Sequence, residues 1–192
     1  MDAALEEDAA LMLKVARGDE RAFAQLFSRH QGSVARFAFR FVNDRAKAEE
    51  LAQDIFVKVY RNARSYRPSA KFKTFLFRVA ANHCLNELRR GEYKSETVTD
   101  AVPEQTSHEA PDKTVEGKEL EAAVVAGLSQ MTDRERAAFT MCRFEGMAYR
   151  DIAEALSASE PAVKSLIHRA TLVVAKKIEA LQSGELKVRS RA

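Results

Sequence analysis

Residues 48–90 read AEELAQDIFVKVYRNARSYRPSAKFKTFLFRVAANHCLNELRR, and this stretch decides the fold. Its first half sets Ala48, Leu51, Ala52, Ile55, Phe56, Val59 and Tyr60 at the i, i+3, i+4, i+7 spacing of one helical face. The opposite face carries Glu49, Glu50, Gln53, Asp54, Lys58 and Arg61. In the second half Phe75, Leu76, Val79, His83, Cys84 and Leu88 form an inward stripe. Beside it run Thr74, Arg78, Asn82, Asn86 and Arg89, a polar stripe without a carboxylate. Soluble helix faces usually mix both signs of charge, so an acid-free one points to an anionic partner. The basic connection, residues 65–73, adds Arg67, Lys71 and Phe72 beside Tyr66. Aromatic rings among cations can hold unstacked bases.

Working toward the N-terminus, the pattern stays helical. Leu11 and Val15 mark a first helix starting near Glu6. Gly18 interrupts it, and Asp19 is a good N-cap for a helix over Glu20–Arg29. Ser33 is placed to cap another, with Val34, Phe37, Ala38, Phe41 and Val42 inward. Asn43 and Asp44 break that run, and Asp44 can cap the helix that opens the deciding stretch.

Working toward the C-terminus, the composition changes at Gly91. Residues 92–118 are polar, contain Pro103 and Pro111, and hold more acids than bases. Such a segment buries too little apolar surface to offset its ordering entropy, so it is expected to be a flexible acidic linker. Composition favours a solvated spacer over a strand of negative charge lying in a channel meant for nucleic acid. A second helical unit, 119–183, begins with Leu120, Val124 and Leu128. Thr132 and Glu135 then have the spacing of a capping box, and Gly146 suits a helix end. Ile152, Ala153 and Leu156 mark a short helix, and Ser157-Ala158-Ser159 a tight break. Ser159 caps a last long helix with Pro161 in its first turn. Val163, Leu166, Ile167, Ala170 and Val174 face inward there, while Pro161, Lys164, Ser165, His168 and Arg169 lie at its start or outside. Two helices around a tight turn, the second opening with small polar and basic residues, form the helix-turn-helix pattern that enters a DNA major groove. Residues 184–192 are a basic tail.

The whole chain sets bounds on these readings. Its 192 residues are 46% hydrophobic and 31% charged, with 7 Gly and 4 Pro. No alternating strand pattern with hairpin turns appears, so the fold class is all-α: two small helical domains, 1–91 and 119–183, joined by the acidic linker. The net charge of +3 is modest, but cations gather in residues 61–90 and 164–191. Cys84 and Cys142 stand alone, which argues against a disulfide framework or a zinc site. His30, His83, His108 and His168 are scattered, with no nucleophile–base spacing or glycine-rich phosphate loop. An enzyme, a cofactor and a metal are therefore not expected. The acidic start lacks the form of a signal peptide, and no apolar run approaches a membrane span, so no membrane insertion and a cytoplasmic site are expected.

These residues carry a family resemblance. GDERAFAQLFSRH (18–30), DRAKAEELAQDIFVKVYRNARSY (44–66) and FKTFLFRVAANHCLNELRR (72–90) together resemble region 2 of bacterial sigma factors of the extracytoplasmic-function (ECF) group, within the sigma-70 family. MTDRERAAFTMCRFEGMAYRDIAEALSASEPAVKSLIHRA (131–170) resembles their region 4. The resemblance implies a subunit that joins core RNA polymerase, directs it to promoter DNA, and is held in check by an anti-sigma protein. By position, it gives Glu50, Gln53, Asp54 and Lys58 to docking on the polymerase. It gives Arg67, Lys71, Phe72, Arg78, Asn82, Asn86 and Arg89 to reading and melting the minus-ten element. Pro161, Lys164, Ser165, His168 and Arg169 fall to the minus-thirty-five element.

The sequence departs from the family pattern in four places. Ser157 stands where the helix-turn-helix turn usually has glycine, and Ala148 where a capping serine or threonine is usual. Leu166 and Thr171 replace arginines. Two fewer cations imply fewer phosphate contacts and weaker upstream binding. That leads to the expectation of greater reliance on the minus-ten element or on a helper protein upstream. The competing function is a helix-turn-helix regulator whose N-terminal half is a sensor or dimerisation module. The basic aromatic loop and the asparagine stripe argue against it.

Overall fold

Side-chain caps set four of the helix starts among the described residues. The computed structural model describes residues 3–68, 71–95 and 115–183. Among them run α1 (Ala3–Val15), α2 (Glu20–Val42), α3 (Arg45–Arg61), a 3-10 turn (Ala63–Ser65) and α4 (Phe72–Ser95). Then come α5 (Val115–Ser129), α6 (Asp133–Arg143), α7 (Tyr149–Ala155) and α8 (Glu160–Gln182). The Asp19 carboxylate accepts from the Ala22 amide at 3.0 Å, and Asp44 accepts from Lys47 at 2.9 Å. At α6 both halves of the capping box are present: Glu135 N–H donates to Thr132 Oγ1 at 3.4 Å, and Thr132 N–H to Glu135 Oε2 at 3.1 Å. Ser159 accepts from the Ala162 amide at 3.3 Å and starts α8. Each cap satisfies an amide that has no partner within its own helix.

Three local readings change. Ser33 caps nothing, because α2 runs unbroken from Glu20 to Val42. Gly32 costs a helix interior only about 1 kcal/mol, and the burial of Leu26, Val34 and Phe37 on either side outweighs it. The Ser33 hydroxyl instead donates to Glu145 Oε2 at 2.7 Å, far along the chain. Secondly, helix invades the polar segment from both sides, α4 reaching Ser95 and α5 starting at Val115. The remainder of the acidic linker, 96–114, and the basic tail lie outside the described residues. Thirdly, Tyr60, grouped with the apolar face of α3, is 40% exposed.

The core is built on aromatic rings in the N-terminal unit, α1–α4. Phe37, Phe56, Phe72 and Phe77 are among its fully buried side chains, with Met12, Leu26, Leu51 and Ile55. Edge contacts join Phe27 to Phe56 at 4.9 Å and Phe37 to Phe77 at 5.2 Å between centroids. Such pairs add to the area they bury. In the C-terminal unit, α5–α8, Leu128, Met131, Phe139, Ala170 and Val174 form a smaller cluster under α8.

The units touch. α7 packs on α4, and α6 and α5 pack on α2. One buried apolar cluster crosses the seam, holding Phe77 and Ala80 from α4 together with Met141, Ile152 and Ala153. Among the described residues no helix is long and apolar enough to cross a membrane.

Candidate nucleic-acid interface

Helix α4 holds the stripe in place from behind. Leu76, Ala80, Cys84 and neighbouring Phe77 and Ala81 are buried, which turns Asn82, Asn86 and Arg89 to the outside. Among the described residues Asn82 and Asn86 make no side-chain hydrogen bond, so their amides are free to pair with a ligand. Arg78 is half-buried, its guanidinium carbon 5.5 Å from the Phe75 ring centroid. The stripe thus combines donor and acceptor amides with two guanidinium groups on one helical side.

The loop before α4 differs from its sequence reading. Phe72 is 0% exposed and Tyr66 3%, so both rings belong to the core and neither faces a base. Phe72 lies 5.2 Å from the His30 ring and 6.5 Å from Tyr66, and Tyr66 5.4 Å from Phe75. The loop uses them as anchors that fix where its cations stand. Thr74, placed in the polar stripe, is also buried at 2% exposure. An i, i+4 pattern gives the face of a helix but not the width of the covered zone, and α4 is covered more widely than its apolar residues indicate. The exposed Arg67 donates to the Arg64 and Tyr66 carbonyls at 3.1 and 3.3 Å. Lys71 is exposed but paired, with Nζ 2.7 Å from Asp151 Oδ2 on α7.

The outer face of α3 presents Glu50, Gln53, Asp54 and Lys58 to solvent. Lys47 Nζ donates to Glu50 at 2.9 Å, and that bond raises the Lys47 pKa. Beneath Asp54 lies His83, 6% exposed, with Nε2 at 3.6 Å from Asp54 Oδ2. That distance is too long for a hydrogen bond, and among the described residues Nε2 has no other partner. Burial, helped by the charge of Lys58, holds the His83 pKa below its usual value, which keeps the ring neutral near pH 7.

On the C-terminal unit Pro161, Lys164, Ser165, His168 and Arg169 are all exposed along the start of α8. Ser165 Oγ donates back to the Pro161 carbonyl at 3.1 Å. Arg169 Nε donates to Glu135 Oε1 at 2.6 Å. Burial opposes ionisation of Glu135, but the bonds from Arg169 and Thr132 outweigh it and hold its pKa below the usual value. Leu166 is half-buried against the core, and the Thr171 hydroxyl donates to the Ile167 carbonyl at 2.8 Å. The turn before α8 carries Ser157 at φ 49°, a left-handed conformation that a side chain strains. Ala148, at the start of α7, supplies no side-chain cap.

Sequence reasoning missed Glu145, Asp151 and Ser33 as structural partners, because those contacts join residues far apart in the chain. Glu145 alone left a trace: a charge set between Phe144, Gly146 and Met147. Burial pushes the Cys84 thiol up to about 12, so it is an inert core group. Among the described residues no group of three His, Cys, Asp or Glu side chains is arranged to hold a metal ion.

The comparisons with known proteins agree with one another. A family model described as sigma-70 region 2 matches residues 26–92, and one described as sigma-70, region 4 matches residues 122–171. The RNA polymerase sigma-H factor of Pseudomonas aeruginosa is 34% identical over 185 residues, covering 92% of this chain and 96% of that protein. The ECF RNA polymerase sigma-E factor of Haemophilus influenzae is 32% identical over 183 residues, covering 91% and 96%. Among solved structures, CnrH in complex with the cytosolic domain of CnrY superposes with a TM-score of 0.68 at 24% identity, covering 91% of this chain and 98% of CnrH. The sigma factor RpoE of Bartonella quintana, in complex with the anti-sigma factor NepR, gives 0.67 at 21% identity, covering 82% and 96%. The two solved structures share the fold.

Proposed function

The chain belongs to the ECF group of sigma-70-family RNA polymerase sigma factors, and from that premise we propose how its surfaces divide the work of transcription initiation. It is an alternative sigma factor, a partner of core RNA polymerase and promoter DNA. The α3 face of Glu50, Gln53, Asp54 and Lys58 docks on the polymerase. The α4 stripe of Arg78, Asn82, Asn86 and Arg89, with Arg67 and Lys71 in the loop before it, reads the minus-ten element and favours its melted form. Pro161, Lys164, Ser165, His168 and Arg169 read the minus-thirty-five element in duplex DNA. Residues 1–91 and 119–183 are the two working units in this reading.

The observation that carries the proposal is the exposed, acid-free stripe on α4, with its two amides unpartnered. A base turned out of its stack needs hydrogen-bonding amides at its edge and cations on its phosphates. Binding the melted strand more tightly than the duplex lowers the cost of opening it, while the polymerase does the chemistry. The sigma factor needs no catalytic group of its own for that role, and its place of work is the cytoplasm. A stand-alone helix-turn-helix regulator is not favoured, because the region 2 match covers residues 26–92, which such a regulator has no need of.

An anti-sigma protein is the expected negative regulator. A cleft of about 780 Å³ between α2, α3, α5 and the start of α6 offers it room. Phe39, Val124 and Leu128 line that cleft together with Arg36, Arg40 and Arg45. The lining suits a helix that is apolar on one side and acidic on the other.

Run-off transcription with purified core enzyme on a promoter library tests the reading as a whole. Promoter-specific transcripts that appear only when the chain is added support it. Tight duplex binding with no initiation would sink it. Asp54→Lys should lower affinity for the core enzyme at least tenfold, read by a pull-down titration, because a reversed charge meets a complementary surface. Unchanged affinity would remove α3 from the docking face.

A further inference from the structure

The wall between α3 and α4 holds a polar ring that packing alone does not explain. His83 lies on α4 next to Cys84, 6% exposed. Its Nε2 is one of two buried side-chain nitrogen or oxygen atoms without a hydrogen-bond partner among the described residues, the other being Thr140 Oγ1. Interior polar atoms are nearly always paired, so an unpaired one calls for a use. Nε2 lies 3.6 Å from Asp54 Oδ2, roughly half an ångström beyond a good hydrogen bond. Asp54 is 57% exposed on the outer face of α3. A small turn of its side chain closes the gap without moving either helix.

The charges that face His83 come from both helices. Burial is the largest influence and, with Lys58 of α3, opposes protonation of the ring; Glu87 of α4 and Asp54 of α3 favour it. Lys47, in the first turn of α3, interacts with both of those acids. The balance leaves the ring neutral near pH 7. A neutral imidazole set against a carboxylate carries its proton on the facing nitrogen and is a donor there.

We propose that His83 is a positioning residue for polymerase docking: its neutral Nε2–H anchors the Asp54 carboxylate from beneath when the α3 face is covered, and protonation of the ring withdraws that carboxylate from the partner. The proposal rests on the reading of α3 as the docking face. Docking strips water from Asp54, and a carboxylate that leaves water needs replacement donors. A neutral donor supplies one and leaves the full negative charge to meet a complementary surface. An imidazolium cancels that charge from inside the protein. Docking therefore favours the neutral ring and releases a proton from a protonated one, so core affinity falls as the pH drops.

The test is a binding titration of the full chain with purified core enzyme. His83→Leu fills the site without a donor and should weaken binding about tenfold at about pH 7.5, the size of one hydrogen bond to a charged group. His83→Gln keeps an N–H at similar reach and should recover most of that loss. Gln does not titrate, so the ratio of wild-type to His83→Gln affinity removes the titration of polymerase groups. That ratio should fall about threefold from about pH 7.5 to about pH 5.5. In an Asp54→Ala background, His83→Leu should cost less than twofold, because the ring acts through that carboxylate. An equal loss in both backgrounds overturns the proposal, since His83 would then matter only for packing. Unchanged affinity in His83→Leu, with Asp54→Ala weakened, overturns it and leaves the α3 docking face standing. If Asp54→Ala binds as well as the wild type, the docking reading fails and the proposal with it. Should His83→Leu lose its helical circular dichroism, the pH ratio carries the test alone, and a flat ratio overturns the proposal.

Discussion

The two units hold their shape by different means. The N-terminal unit has a thick aromatic core, with Phe37, Phe56, Phe72 and Phe77 fully enclosed. The C-terminal unit has no buried aromatic ring of that kind in the shared cluster: it contributes Met141, Ile152, Val163 and Ile167, adds a small cluster of its own, and sets its helix ends with the Thr132–Glu135 box, the Ser159 cap and the turn at Ser157. A unit that must hold a strand of DNA open gains from rigidity supplied by packing. A small reader that settles into a groove can be positioned by local hydrogen bonds. The difference predicts that core substitutions dominate in the first unit, and cap and turn substitutions in the second.

The largest effect is expected at Phe77. Truncating this buried ring, Phe77→Ala, should cost about 3–5 kcal/mol by chemical denaturation, since it removes transfer energy and leaves a cavity. A cost under about 1 kcal/mol would show that the aromatic core is not what holds α4. Smaller, paired effects are expected in the C-terminal unit. Thr132→Ala should destabilise by about 1 kcal/mol through loss of the cap. Ser157→Gly should stabilise by up to about 1 kcal/mol, by relieving the left-handed backbone. If both changes are neutral, local geometry does not govern this half.

The smallest effect is a pH dependence. The His83 pKa is lowered from 6.5, chiefly by burial. The unfolded chain therefore binds a proton on this ring more readily than the folded one. Stability is unaffected by His83 above about pH 6.5, falls as the pH drops from there toward the lowered folded value, and then levels off. His83→Asn should flatten that slope in denaturation curves between about pH 7.5 and 5. An unchanged slope would assign it to other groups.

The sequence disclosed the parts of this fold that depend on near neighbours. Asp19, Asp44, Thr132 and Ser159 cap where their chemistry requires, because a cap joins residues three apart. The inward faces of α3, except at Tyr60, and of α8 followed from periodicity in the same way. What stayed hidden depends on neighbours far along the chain. Tyr66 and Phe72 read as exposed aromatics because nothing local shows that α1 and α2 close over them. Ser33 read as a cap because its true partner, Glu145, is 112 residues away. Lys71 read as an open cation for the same reason, its partner Asp151 being 80 residues distant. Within the candidate site, the solvent-facing amides on α4 were legible, and the masking of the loop before it was not.

The claim on which the rest depends is that the α4 stripe acts on melted DNA and not on the polymerase. Permanganate footprinting of open complexes, run beside a core-enzyme binding titration, tests it most directly. With Asn82→Ala and Asn86→Ala, thymine reactivity across the minus-ten element should fall at least tenfold while core affinity stays within about twofold, because each amide–base pairing is worth roughly 1–3 kcal/mol. Full reactivity in the double variant, or an equal loss of both signals, would contradict the account.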